Sequence, residues 1–165
     1  EEETTRLLTK PYYRKIERLI DMLYRKEHMY VIGRGLSFPV GLETALKIKE
    51  ISYIHVEGFA AGELKHGVIA LIEKGSPCIV FAPNDETYDA MISSAMEVKA
   101  RGGYIIGVSN KNNEVFDYFL DVADCGEATI IPNSVIGQLL GYCVGTKKGL
   151  DPDQPRNLAK SVTVK

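Results

Sequence analysis

Met29-Tyr30-Val31-Ile32-Gly33-Arg34-Gly35 is a short apolar run closed by a Gly-x-Gly turn. A buried run that ends in such a turn and passes into a helix opens an α/β unit. Ser37, with Pro39 after it, suits the start of that helix. The third glycine of a dinucleotide fingerprint is missing, and no acidic residue closes a second strand. The glycines therefore serve a tight turn, and nucleotide chemistry is not indicated.

Working outward, Tyr12, Ile16, Leu19, Ile20, Met22 and Leu23 recur at helical period within 10–27, which predicts a packing helix. Residues 55–67 are interrupted by Gly58 and Gly62 and are expected to form a loop with a short helical turn. Residues 78–82 are a near-continuous apolar strand of the kind covered on both faces. Asn84 or Asp85 can cap a helix over 86–101, whose buried stripe is Tyr88, Met91, Ile92, Ala95 and Val98. Gly102 and Gly103 end it. A strand is expected at 104–108, a brief helix at 115–119, strands at 120–123 and 128–131, and a helix over 134–147. The alternation predicts an α/β fold, an open doubly wound parallel sheet of about five strands in flavodoxin-like order, with its site at the strands' carboxyl ends. The expected organisation is a packing helix in 1–28, the α/β domain in 29–147 and an irregular tail in 148–165. Pro152 and Pro155 bar a long helix from that tail. It either frays, as termini do, or folds back, since 153–161 is more varied than a linker.

At 165 residues the chain is long enough to bury one real core. A net charge of −2 argues against a nucleic-acid surface or a polybasic membrane patch. The apolar runs are too short to span a bilayer, and the charged opening, residues 1–6, does not resemble a secretory leader. Cys78, Cys125 and Cys143 are widely spaced and odd in number, which supports neither a zinc site nor a disulfide framework. Cys78 and Cys143 are expected to be buried structural thiols, and a reducing cytoplasm follows.

Residues 43–66 gather acids, bases and an imidazole more densely than any other stretch. Glu43 lies four residues before Lys47 and Glu50 three after it, so on a helix that lysine has a carboxylate on either side. Ordinary ion pairs on a solvated face would produce this pattern. So would a carboxylate base tuned by a nearby ammonium. Glu63, Lys65 and His66 follow in the loop, where His66 is placed to be exposed.

Three motifs carry a family resemblance: Leu46-Lys-Ile-Lys-Glu-Ile-Ser-Tyr-Ile-His, then Ala60-Ala-Gly-Glu-Leu-Lys-His-Gly, then Asp153-Gln-Pro-Arg-Asn-Leu-Ala-Lys-Ser-Val-Thr-Val. Together and in this order they resemble the second sugar-isomerase (SIS) domain of the glutamine–fructose-6-phosphate aminotransferases, the glucosamine-6-phosphate synthases. In that family a glutaminase domain releases ammonia, and paired SIS domains convert fructose 6-phosphate and ammonia to glucosamine 6-phosphate. The resemblance implies that Glu50 is the base moving a proton between C1 and C2, assisted by Lys47. It implies that His66 opens the sugar ring, reaching the site of a neighbouring subunit, and that Lys160 forms a Schiff base with the open-chain ketose.

These roles suit the residue types. An aldose–ketose shift needs a base beside the carbon acid, and iminium formation at C2 acidifies the C1 protons. The family's N-terminal cysteine nucleophile is missing from these residues, so glutamine hydrolysis is not expected of them. The loop 82–87 is acidic where the family's first SIS domain grips phosphate with Ser/Thr-rich loops. The expectation is a half-domain that brings acid–base groups and is inactive alone, with a phosphosugar substrate, no cofactor and no metal. Its partners would be the missing first SIS and glutaminase domains, in a homodimer. The alternative is a non-catalytic SIS domain that binds a phosphosugar for regulation or oligomerisation.

Overall fold

The computed structural model describes residues 1–158. Two short N-terminal helices, α1 (Glu2–Leu7) and α2 (Lys10–Leu23), precede the first strand. Thr9 and Pro11 divide what the sequence suggests is one helix, since proline suits the first turn of a new one. The alternating core is β1 (His28–Gly33), α3 (Ser37–Ser52), β2 (His55–Ala60), β3 (Pro77–Phe81), α4 (Tyr88–Lys99), β4 (Tyr104–Ser109), β5 (Tyr118–Asp121) and α5 (Ile130–Lys147). Two 3-10 turns, Ala61–His66 and Val68–Leu71, join β2 to β3.

The five strands are all parallel, in the order β2-β1-β3-β4-β5. That is the flavodoxin-like order expected, with the direction of winding reversing between β1 and β3. Helices cover both faces. One core cluster joins Ile16, Leu19, Val31, Ile48, Phe81 and Leu140, and the other joins Ile32, Leu64, Val80, Met91, Ala95 and Ile105. β3 is buried along its whole length, which explains its unbroken apolar run. Cys78 and Cys143 are buried as expected, and burial pushes the Cys78 thiol up to about 12, so it stays inert.

Three boundaries differ from expectation. Residues 55–60 form the edge strand β2 rather than a loop. A Cβ on Gly58 would lie 3.1 Å from the Gly41 carbonyl oxygen and 3.2 Å from the Ala45 Cβ, so its glycine lets α3 approach the strand. Residues 130–131, expected in a strand, are the first turn of α5, where Pro132 costs no helical hydrogen bond. Residues 118–119, expected in a brief helix, belong to β5. The sheet has five strands as expected, with β2 in place of the strand expected at 128–131.

The N-terminal helices are fastened to the end of β5. Arg6 Nη1 and Lys15 Nζ donate to the Asp121 carboxylate at 2.8 and 2.5 Å, and the Tyr12 hydroxyl donates to its carbonyl at 3.0 Å. Burial works against the Asp121 charge, but Lys15 and Arg6 outweigh it and hold the carboxyl below its ordinary range. Among the described residues no helix is long and apolar enough to cross a membrane.

Candidate functional site

α3 carries the charged group the sequence singles out. Lys47 Nζ donates to Glu50 Oε2 at 2.8 Å and lies 3.6 Å from Glu43 Oε1. Both members of the closer pair are partly shielded, with side chains 28% and 29% exposed. The hydrogen bond that Lys47 donates to Glu50 raises the lysine pKa against the opposing effect of burial, with the charges of Glu50 and Glu43 adding to it. Lys47 is thus an ammonium at neutral pH, placed to neutralise or donate.

α5 fixes where that lysine stands. Gly137, Gly141 and Gly145 recur every four residues and turn a side-chain-free stripe to α3. A Cβ at Gly141 would sit 3.0 Å from the Lys47 carbonyl, and at Gly137 2.3 Å from Thr44 Oγ1. Helix backbones meet closely only along such a stripe, so the Lys47 backbone has little room to shift.

The tail returns to the same end of α3. Lys148 Nζ donates to the Ser52 carbonyl at 2.6 Å, and the Arg156 amide donates to the Tyr53 hydroxyl at 2.8 Å. The Arg156 guanidinium stacks 4.0 Å from the centre of the Tyr53 ring. Tyr53 holds a left-handed conformation, φ 59°, uncommon for a non-glycine residue. It closes α3 three residues beyond Glu50 and presents its ring to the tail. Neither Tyr53 nor Arg156 stands out in the sequence, because only the folded chain brings them together. Replacing Tyr53 with alanine removes both contacts, and faster tryptic cleavage after Arg156 is the expected result. Cleavage at the unaltered rate would show that the ring does not hold the tail.

His66 ends the 3-10 turn after β2 and stands apart from the α3 group. Its side chain is 71% exposed, and Nδ1 lies 2.7 Å from Glu63 Oε2, its one side-chain hydrogen-bond partner among the described residues. Lys65 beside it pairs with Glu97 of α4 at 2.8 Å. The structure thus unites Lys47, Glu50 and Glu43 but does not join His66 to them. Lys160 lies outside the described residues.

A cleft of about 320 Å³ opens at the carboxyl ends of β1 and β3, lined by Ser37, Asn84, Asp85, Glu86, Glu127 and Asn133 among others. Asp85 Oδ1 accepts from the Thr87 amide at 2.8 Å and its hydroxyl at 2.6 Å, so a carboxylate already occupies the start of α4. With Glu86 and Glu127 beside it, the cleft disfavours a phosphate by like charge. Among the described residues no three His, Cys, Asp or Glu side chains are grouped to hold a metal ion.

The family model for the SIS domain matches residues 22–122, from the end of α2 through β5. The chain belongs to the SIS domain family. It is 46% identical over 153 residues to the glutamine–fructose-6-phosphate aminotransferase (isomerizing) of Pyrococcus horikoshii, matching 91% of this chain and 26% of that one. The corresponding protein of Aquifex aeolicus is 43% identical over 159 residues, again 91% of this chain and 26% of the relative. The SIS chain therefore spans about a quarter of the length of these curated relatives. Among solved structures, the C-terminal domain of the glucosamine-fructose-6-phosphate aminotransferase of Francisella tularensis superposes with a TM-score of 0.81 at 37% identity. The match covers 93% of this chain and 43% of that one. A putative tagatose-6-phosphate ketose/aldose isomerase of Clostridium novyi shares the fold at a TM-score of 0.81 and 15% identity.

Proposed function

We propose that the chain is the acid–base half of a glucosamine-6-phosphate synthase isomerase. The observation that carries this reading is the Lys47–Glu50 pair, fixed by α5 at the end of α3 to which the tail returns. Glu50 takes a proton from C1 of the open-chain sugar imine and delivers one to C2. Lys47 stays protonated beside it, its ammonium 2.8 Å from the carboxylate that moves the proton. Lys160 adds to the C2 carbonyl of fructose 6-phosphate and expels water to form the imine. Ammonia then displaces the lysine, and the proton shift leaves an amine on C2 and an aldehyde at C1.

Arg156 docks on Tyr53, which supports a tail that returns to the helix end carrying the pair. His66, exposed and paired only with Glu63 among the described residues, is available to a neighbouring subunit for ring opening. The acidic cleft suits a domain whose phosphate is gripped elsewhere, in the first SIS half of the longer protein. Leu42 and Leu46 are 43% and 41% exposed on the helix that bears the pair, which fits a surface covered by that other half. The chain would then have no complete site by itself and would act in the cytoplasm as part of a homodimeric synthase.

Borohydride reduction of the full-length protein with fructose 6-phosphate tests the covalent step. The sugar is expected on Lys160, recovered as a single modified peptide that contains this residue. Attachment to another lysine, or none, would remove the Schiff-base role, and absence of all sugar binding would favour a purely structural domain.

A further inference from the structure

We propose that His28 and His55 form a two-histidine chelate for a borderline divalent cation of the Zn²⁺ type, at the end of the sheet opposite the strands' carboxyl ends. The residues are 27 apart in sequence, without metal-ligand spacing, but the parallel register of β1 and β2 sets them directly opposite one another. Facing residues on adjacent parallel strands project to the same side of the sheet. Their rings meet edge to face with centroids 5.4 Å apart, and the two Nδ1 atoms are 3.3 Å apart.

That separation matches a metal bite. Two imidazole nitrogens bound to tetrahedral zinc at about 2.0–2.1 Å lie about 3.3–3.4 Å apart. In the metal-free pair one Nδ1–H donates to the other nitrogen. A cation would replace that proton, with both rings protonated at Nε2 and both Nδ1 lone pairs on the metal. Both residues are exposed, so water can fill the other positions. With no third protein ligand grouped there among the described residues, the site is open and exchangeable. Imidazole donors select zinc, copper or nickel over magnesium and calcium, which prefer oxygen. A bound ion would tie the edge strand β2 to β1 at its amino end and stabilise the folded chain by mass action.

Isothermal titration of the 165-residue chain with zinc chloride tests this, with magnesium chloride as the control. One zinc per chain is expected, with His28→Ala and His55→Ala each weakening it at least tenfold. His66→Ala and Cys125→Ser, which remove the remaining histidine and the exposed thiol, are expected to bind like the unaltered chain. Should either alanine variant fail to fold, imidazole nitrogen resonances of the unaltered chain decide, with two of three Nδ1 signals shifting on zinc addition. No zinc binding, undiminished binding in both folded variants, or loss of binding in His66→Ala or Cys125→Ser would each overturn the proposal.

Discussion

Glu50→Gln, in a chain of the full length of its relatives, is expected to slow formation of glucosamine 6-phosphate by about a hundred- to ten-thousandfold. The substitution is nearly isosteric. The glutamine carbonyl can still accept from Lys47 Nζ, now 2.8 Å from Glu50 Oε2, so the helix surface should hold its shape. What disappears is the group able to take a proton from carbon. The fall should appear in kcat, with KM for fructose 6-phosphate little changed, because a general base contributes in the transition state and little in substrate binding. Steady-state assays with both substrates read the two constants separately. A variant that turned over normally would leave Lys47 and Glu50 as an ordinary half-exposed ion pair, worth under about 1 kcal/mol to the fold.

The largest expected effect on stability belongs to Gly141→Val. A Cβ at this position already falls 3.0 Å from both the carbon and the oxygen of the Lys47 carbonyl, and valine adds two methyl groups beyond it. Those neighbours are backbone and cannot rotate away, so α5 must move off α3. Overpacking of this kind costs about 1–3 kcal/mol, and a domain of this size loses about 2–4 °C of melting temperature for each. Gly62→Ala is the matched control, because no atom lies within 4 Å of its added Cβ. Thermal denaturation should separate the two variants clearly. Equal melting temperatures would mean that the glycine stripe does not set the spacing of these helices, nor therefore the position of Lys47.

The sequence discloses those parts of the molecule whose partners are close along the chain. Lys47 and Glu50 are three residues apart, so a helical period alone places them together. β1, β3 and the stripe of α4 are equally local, being an apolar run or a periodic face. Gly58 was misleading because a glycine looks like an interruption in one dimension. In three dimensions it is the point where α3 lies against β2. Thr129-Ile130-Ile131 has strand-forming side chains but starts α5, since the packing of that helix along α3 outweighs the preference of a few β-branched residues.

The contacts that remain hidden are long-range. Tyr53 meets Arg156 across 103 residues, and no periodicity anticipates an uncommon left-handed tyrosine waiting for an arginine. His28 and His55 become a pair only through strand register. That His66 bonds to Glu63 of its own turn, and not to the α3 group, is likewise visible only in the folded chain. The resemblance supplies roles for Lys47, Glu50, His66 and Lys160, while the folded chain accounts for the surroundings of the first three.

Exchange of hydrogen at C1 tests the role of Glu50 most directly, because it observes the proton transfer without waiting for product. The full-length protein and its Glu50→Gln variant would be incubated with fructose 6-phosphate and ammonia in deuterium oxide, and the recovered sugar examined by NMR. The unaltered protein should introduce deuterium at C1 or C2, and the variant should not, although it still forms the borohydride-trappable adduct. Deuterium entering at the same rate in both would show that another group moves the proton.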